Sequence, residues 1–350
     1  MAKDFIPGLE LSGLFYREII KPVLDEHFDS LHYSAALIGA GSEVLAFDTA
    51  MSSDHDWGPR LRLFLNESDY LKYAKVIEKT LQRHLPEQFR GFRVQQVISG
   101  STNNRCVELL TIRDFFQQYL NCDIRSEFEP ADWLTFPEHK LRTVVSGAVY
   151  RDDIGLQAVR ERFKYYPHEI WLYLLAAGWK RIGQEEHLMG RAGTVGDEIG
   201  SALIAARLVR DLMRLCFLME KQYAPYAKWF GTAFAQLKSA EILTPLLRQV
   251  LLSSTWLERQ KCLVPAYEIV ATHHNALNIT EMLDAKVSNF YERPFLVIDG
   301  ERFANALRAK ITDPAVKRIA DRWLIGSVDQ FSDSTDLLNN TQALRFLYIE

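Results

Sequence analysis

The stretch from Gly39 to Arg60 constrains this chain more than any other. It reads Gly-Ala-Gly-Ser-Glu-Val-Leu-Ala-Phe-Asp-Thr-Ala-Met-Ser-Ser-Asp-His-Asp-Trp-Gly-Pro-Arg and follows the apolar run Tyr33 to Ile38. The run has the pattern of a strand, and Gly-Ser after it has the pattern of a turn. A short helix is expected next, then a second strand that opens with Asp54 and Asp56. Residues two apart in extended backbone share a face, so the two carboxylates would point the same way. Close carboxylates repel unless a cation lies between them, and oxygen ligands of this kind suit Mg²⁺. Successive amides of the Gly41-Ser42 turn can point at an anion. A phosphate cradle and a metal-binding acid pair, one short helix apart, describe a site for a nucleoside triphosphate.

Around this stretch the periodicities give an α+β chain. Leu9 to Phe28 is expected as an amphipathic helix, His32 to Ile38 as the first strand, and Leu61 to Leu65 as the second. Arg60 and Arg62 share parity with Asp54 and Asp56 unless Gly58-Pro59 carries a bulge. Ser68 to Leu85 is expected as a helix with Ser68 as its cap, and Phe92 to Ile98 and Arg105 to Ile112 as strands. Asp114 to Tyr119 begins a helix, and helical signals dominate from Pro130 to about Leu283: Trp171 to Arg181, Glu198 to Tyr223, Ala233 to Ala240, Thr244 to Ser253 and Cys262 to Leu277. A boundary at the charged, proline-ended segment Cys122 to Pro130 gives a small mixed-sheet head over residues 1–125. A mostly helical domain then covers 126–350. One short strand is expected within Glu292 to Asp299.

The strand, the Gly-Ser turn and Asp-x-Asp together resemble the nucleotidyltransferase superfamily, which contains DNA polymerase β and the aminoglycoside nucleotidyltransferases. Leu37-Ile38-Gly39-Ala40-Gly41-Ser42 and Asp54-His55-Asp56 fill the places of its signature; His55 departs, where the family often has an apolar residue. The longer string through Trp57-Gly58-Pro59-Arg60 resembles a bacterial family known as a nucleotidyltransferase-like domain of unknown function. That likeness extends through Arg207-Leu208-Val209-Arg210-Asp211 and Tyr226-Ala227-Lys228-Trp229-Phe230-Gly231. The resemblance implies transfer of a nucleoside monophosphate from a triphosphate, ATP being the expected donor, to the hydroxyl of a small-molecule acceptor. It implies one or two Mg²⁺ on Asp54 and Asp56, completed by a third carboxylate on a neighbouring strand.

Glu108 is the candidate for that third acid, the one acid in an apolar run. An unpaired charge there is costly to bury, although an edge strand facing water would also accept it. Gly41 and Ser42 are the candidates for the phosphates, with Glu43 beside them expected to point away or act as a cap. Arg60 and Arg62 present planar forks to phosphate oxygens or else serve salt bridges. Lys228, among Tyr223, Tyr226 and Trp229, reaches a triphosphate or lies over the rings. Glu185, Glu186 and Glu198 are candidates for a carboxylate that the helical domain brings to the acceptor. Gly190 to Ser201 has the glycine density of a close-approach loop. Arg207, Arg210, Asp211 and Arg214 share one helical face. His187 beside Glu186 is not read as a zinc site, and His273-His274 is read as structural.

Composition narrows the class. Hydrophobic residues make up 48% of the 350 and charged residues 25%, the balance of a globular protein. The net charge of −4 and the lack of a basic run argue against a nucleic-acid partner. The four cysteines show no paired spacing, which points to reduced thiols rather than zinc or disulfides. Neither a signal peptide nor a membrane-spanning stretch is read, so a cytoplasmic protein is expected. Two other classes fit the same head: a catalytically silent nucleotide sensor, and an enzyme that transfers AMP to a partner protein. Oligomeric state does not follow from the sequence.

Overall fold

The computed structural model describes residues 5–54, 57–94, 106–332, 338, 344–346 and 348–349, with the backbone alone at Ser53 and Asp54. The architecture is α+β, a small mixed sheet and a helical bulk. The chain divides into two compact units, Met1–Glu127 with Lys140–Lys164, and Phe128–His139 with Tyr165–Glu350.

The first unit opens with helices Gly8–Phe15 and Lys21–His27, joined by a π-helical turn Tyr16–Ile20. Together they form the helix expected from Leu9 to Phe28. The wider turn has a cause in Pro22, which offers no N–H and crowds the carbonyl one turn back. Strands β1 (Tyr33–Leu37) and β2 (Leu61–Leu65) pair antiparallel, with Ala36 opposite Arg62. Helix Glu67–His84 follows, starting from Asn66 rather than from the expected cap Ser68. Of the strand expected over Phe92 to Ile98, the described residues form β4 (Phe92–Arg93), paired in a hairpin with β3 (Gln88–Phe89); residues 95–105 lie outside the described residues. Strand β5 (Val107–Thr111) runs parallel to β2, and the chain turns at once into helix Ile112–Leu120.

The sequence reading missed β6 (Ala148–Asp152), placed where helical signals dominate. It pairs antiparallel with β1, closing a four-stranded sheet of order β5-β2-β1-β6. Alternation sorts the side chains. Tyr33, Ala35, Leu61, Leu63, Leu65 and Val107 pack with Leu11, Phe15, Ile20 and Leu81 in one buried core. On the opposite face Phe64 meets Phe115 edge-on at 5.8 Å, and Phe116 stacks on Phe163 at 5.0 Å. Because β2, β5 and β6 all start where β1 ends, one edge of the sheet gathers the residues that precede or open those strands.

The second unit is built on helices His168–Thr194 and Glu198–Met219, joined by a short turn in which Asp197 caps the second helix by accepting from the Gly200 amide (2.8 Å). The loop expected from Gly190 is instead the last turn of the first helix. Its glycines admit aromatic rings: a Cβ on Gly190 would lie 2.6 Å from the Phe295 ring, and the Trp256 ring presses on Gly193. Helices Ala240–Leu252, Trp256–Ala276, Gly300–Lys310 and Pro314–Arg322 belong to the same unit, and a two-stranded ribbon contains Leu296–Val297 within the expected segment. No helix among the described residues is long and apolar enough to cross a membrane.

Candidate functional site

The chain leaves β1 through Gly39 (φ +87°) and Gly41 (φ +143°), a backbone that L side chains rarely adopt. The Gly39 amide donates to the Thr143 carbonyl (3.1 Å), and the Ser42 carbonyl accepts from Leu45 (3.2 Å) and Phe47 (3.0 Å). Residues 42–46 are therefore a knot of turns, and the short helix comes later, as the 3-10 turn Ala50–Asp54. Asp48 ties the far side of the loop: its carboxylate accepts from the Gly8 amide (2.7 Å) and the Trp57 indole (2.9 Å).

Asp54 closes that 3-10 turn, whereas β2 begins at Leu61. The expectation that Asp54 opens the strand in extended backbone is thus corrected. Six residues separate it from Leu61, among them Gly58 (φ +149°) and Pro59, which donates no ladder bond. The Asp54 side chain and all of Asp56 lie outside the described residues.

Glu43 is the residue the sequence made least sense of, and it organises the turn. It is 3% exposed and takes the Arg60 Nε–H at 2.9 Å, with a second contact from Arg60 Nη2. The same guanidinium donates to the Ala40 carbonyl at 2.8 Å. Gly41 leaves room for this pair, since a Cβ there would lie 2.5 Å from Arg60 Nη2 and 2.7 Å from each Glu43 carboxylate oxygen. Arg60, expected at the phosphates, spends its fork on the turn itself. Ser42 remains partly exposed beside it.

Arg62 and Glu108 are register partners on β2 and β5, with Nε 2.8 Å from Oε2. Arg62 also donates to the Ile38 carbonyl, and its Nη1 sits 2.8 Å from where a Cβ on Gly39 would be. The lone acid of β5 therefore has a cationic neighbour, and its side chain keeps 35% of its exposure. Phe115 lies under the Arg62 guanidinium (5.2 Å) and stacks on Tyr119 (5.3 Å). The Tyr119 hydroxyl pairs with Thr143 Oγ1 (2.6 Å), and burial holds its pKa above the usual tyrosine value. Lys140 lies over the Tyr119 ring (5.6 Å), and burial lowers its pKa. No pattern in the residues singles out Lys140 or Thr143, because nothing ties helix Glu138–Val145 to the Gly39 turn before β6 is seen.

Among the described residues no three metal-ligating side chains form a cluster. Glu108 places a carboxylate on the edge strand, an oxygen donor of the kind Mg²⁺ prefers, and that carboxylate already pairs with the cationic Arg62.

The candidates of the second unit have partners of their own. Lys228 lies in the 3-10 turn Ala227–Trp229, its ammonium 4.8 Å from the centroid of the Trp229 ring. Glu185 pairs with Arg207, and burial raises its pKa. Glu186 accepts from the Ile298 (2.6 Å) and Gly300 (3.1 Å) amides, and burial pushes its pKa up to about 7. Glu198 pairs with Arg259. On the shared face of Glu198–Met219, Arg214 reaches Glu138 (3.3 Å), and the buried Asp211 takes Arg181 (2.7 Å) and Arg210 (3.6 Å). His187 stacks on Phe290, and His274 is buried between Trp179 and Thr280, as a structural histidine would be.

Residues 133–230 match a family described as a domain of unknown function (DUF4037). No curated protein matches the chain. Among solved structures, the chain is similar to the crystal structure of a nucleotidyltransferase-like protein from Exiguobacterium sibiricum 255-15. The two are 12% identical over 87% of this chain and 91% of that chain, with a TM-score of 0.34, a likeness too distant to transfer a residue or a role.

Proposed function

We propose that the chain is a Mg²⁺-dependent nucleotidyltransferase that moves a nucleoside monophosphate from a triphosphate, with ATP the expected donor, to a hydroxyl on a small molecule. One observation carries the reading beyond the motif: the glycine turn after β1 and the single acid of β5 meet at one edge of the sheet, bridged by Arg62. In this reading the amides of Gly41 and Ser42 and the Ser42 hydroxyl hold the distal phosphates. Asp54, Asp56 and Glu108 would hold one or two Mg²⁺ ions, which when bound neutralise phosphate charge. The acceptor oxygen forms its bond to the α-phosphorus as the bond to pyrophosphate breaks, and the hydroxyl proton passes to a carboxylate of the acid set.

The test is turnover of ATP and Mg²⁺ against a metabolite pool, read as pyrophosphate release. Asp54→Ala and Asp56→Ala should each lose at least about a hundredfold in rate while keeping the helical circular dichroism of the parent. Full turnover in either variant would refute the assignment.

A further inference from the structure

The Arg62–Glu108 pair raises a problem for the proposed site that the fold itself answers. Glu108 is offered as a metal ligand, yet a guanidinium is hydrogen-bonded to it, 2.8 Å from Oε2. A divalent ion at the same carboxylate would face this positive charge across a few ångströms, at a sheet edge where solvent screens only part of it: the two side chains are 17% and 35% exposed. The arginine is not free to drift away on its own, since it is anchored to the Ile38 carbonyl and rests on Phe115. Those same anchors set it against Gly39, at the mouth of the turn that would receive phosphate.

Resting on the nucleotidyltransferase reading, we propose that Arg62 is a resident cation that a divalent ion must displace from Glu108. The head then binds metal more tightly once a polyphosphate is in place than ahead of it. A polyphosphate at the Gly39–Ser42 turn gives the displaced guanidinium a new anionic partner, a planar fork on phosphate oxygens, and so removes the obstacle to the metal. Metal and polyphosphate would thereby each raise the other's affinity, as linkage requires of two ligands that share one displaced group.

The probe is Mn²⁺ alone, titrated into the full chain without nucleotide and read by the electron paramagnetic resonance of the free ion. Arg62→Gln keeps a donor for the Ile38 carbonyl but removes the charge; Arg62→Met removes both, and either variant that folds decides the matter. Removing the guanidinium should tighten Mn²⁺ binding by up to about fivefold, the worth of a partly exposed ion pair, while Glu108→Gln should weaken it. Unchanged or weaker binding in the folded Arg62 variants, with Glu108→Gln still losing the ion, would make the pair a purely structural cross-strand bridge. The proposal would then fall and the metal role of Glu108 would stand. Equal Mn²⁺ binding by the parent and Glu108→Gln would overturn the reading of Glu108 itself, and the proposal with it.

Discussion

Replacing Glu43 by alanine tests whether the ion pair with Arg60 holds the glycine turn in place. The carboxylate is 3% exposed and its partner's side chain 23% exposed. Breaking a fully buried pair costs about 3–5 kcal/mol because the orphaned charge stays desolvated. Arg60 recovers part of its hydration and keeps the Ala40 carbonyl, so the electrostatic loss is nearer about 2 kcal/mol. The missing methylene, packed against Gly8, adds roughly 1 kcal/mol. The sum of about 3 kcal/mol corresponds to a fall in melting temperature of roughly 6–12 °C for a unit of this size. Urea denaturation of Glu43→Ala, Arg60→Met and the double variant closes a cycle, in which the coupling should be at least about 1.5 kcal/mol. A Glu43→Ala protein within about 0.5 kcal/mol of the parent, or strictly additive losses, would refute the argument.

Two other perturbations probe the frame. Gly147 has φ +79°, and a Cβ there would press into the Leu37 carbonyl oxygen, whereas Gly155, at φ +83°, has open space around it. Gly147→Ala should therefore cost about 2 kcal/mol more than Gly155→Ala in urea denaturation, since both share the left-handed penalty of about 1–2 kcal/mol and only one adds a backbone clash. Glu186 is expected to give a pH signature. Burial raises its pKa from 4.5 to about 7 in the folded chain, so the folded state binds the extra proton between those values. Its contribution is present below pH 4.5 and is lost as pH rises to 7, a decline on the order of 3 kcal/mol. The difference in stability between the parent and Glu186→Gln should carry that slope, and a flat difference would contradict it.

The head was legible where local rules decide it. An apolar run gave β1, alternation gave β2, and the apolar run with one acid gave β5. What escaped was non-local. Val149 and Tyr150 have strand character, but nothing nearby says that Val149 pairs with Ala36, more than a hundred residues earlier. Glu43 looked wrong beside a phosphate turn because its partner Arg60 is brought back only by the strand that follows. The phase of Asp54 failed for a local reason, the Gly58-Pro59 pair, which uncouples the residues before it from the alternation of β2. In the second unit the glycines of His168–Thr194 suggested a loop because their packing partners, Phe295 and Trp256, lie far along the chain.

The late arrival of β6 bears on how this protein is made and cut. A polypeptide ending at Glu127 would carry β1 with one side of its ladder bare, and unpaired N–H and C=O groups along a fully buried strand recruit other chains. Synthesis meets the same difficulty: with β5 complete at Thr111, the ribosome must still add residues up to Asp152 before the edge beside Ala35 is covered. Limited proteolysis or gene truncation intended to isolate the head would have to retain residues through Lys164, carrying Phe128–His139 along as a passenger.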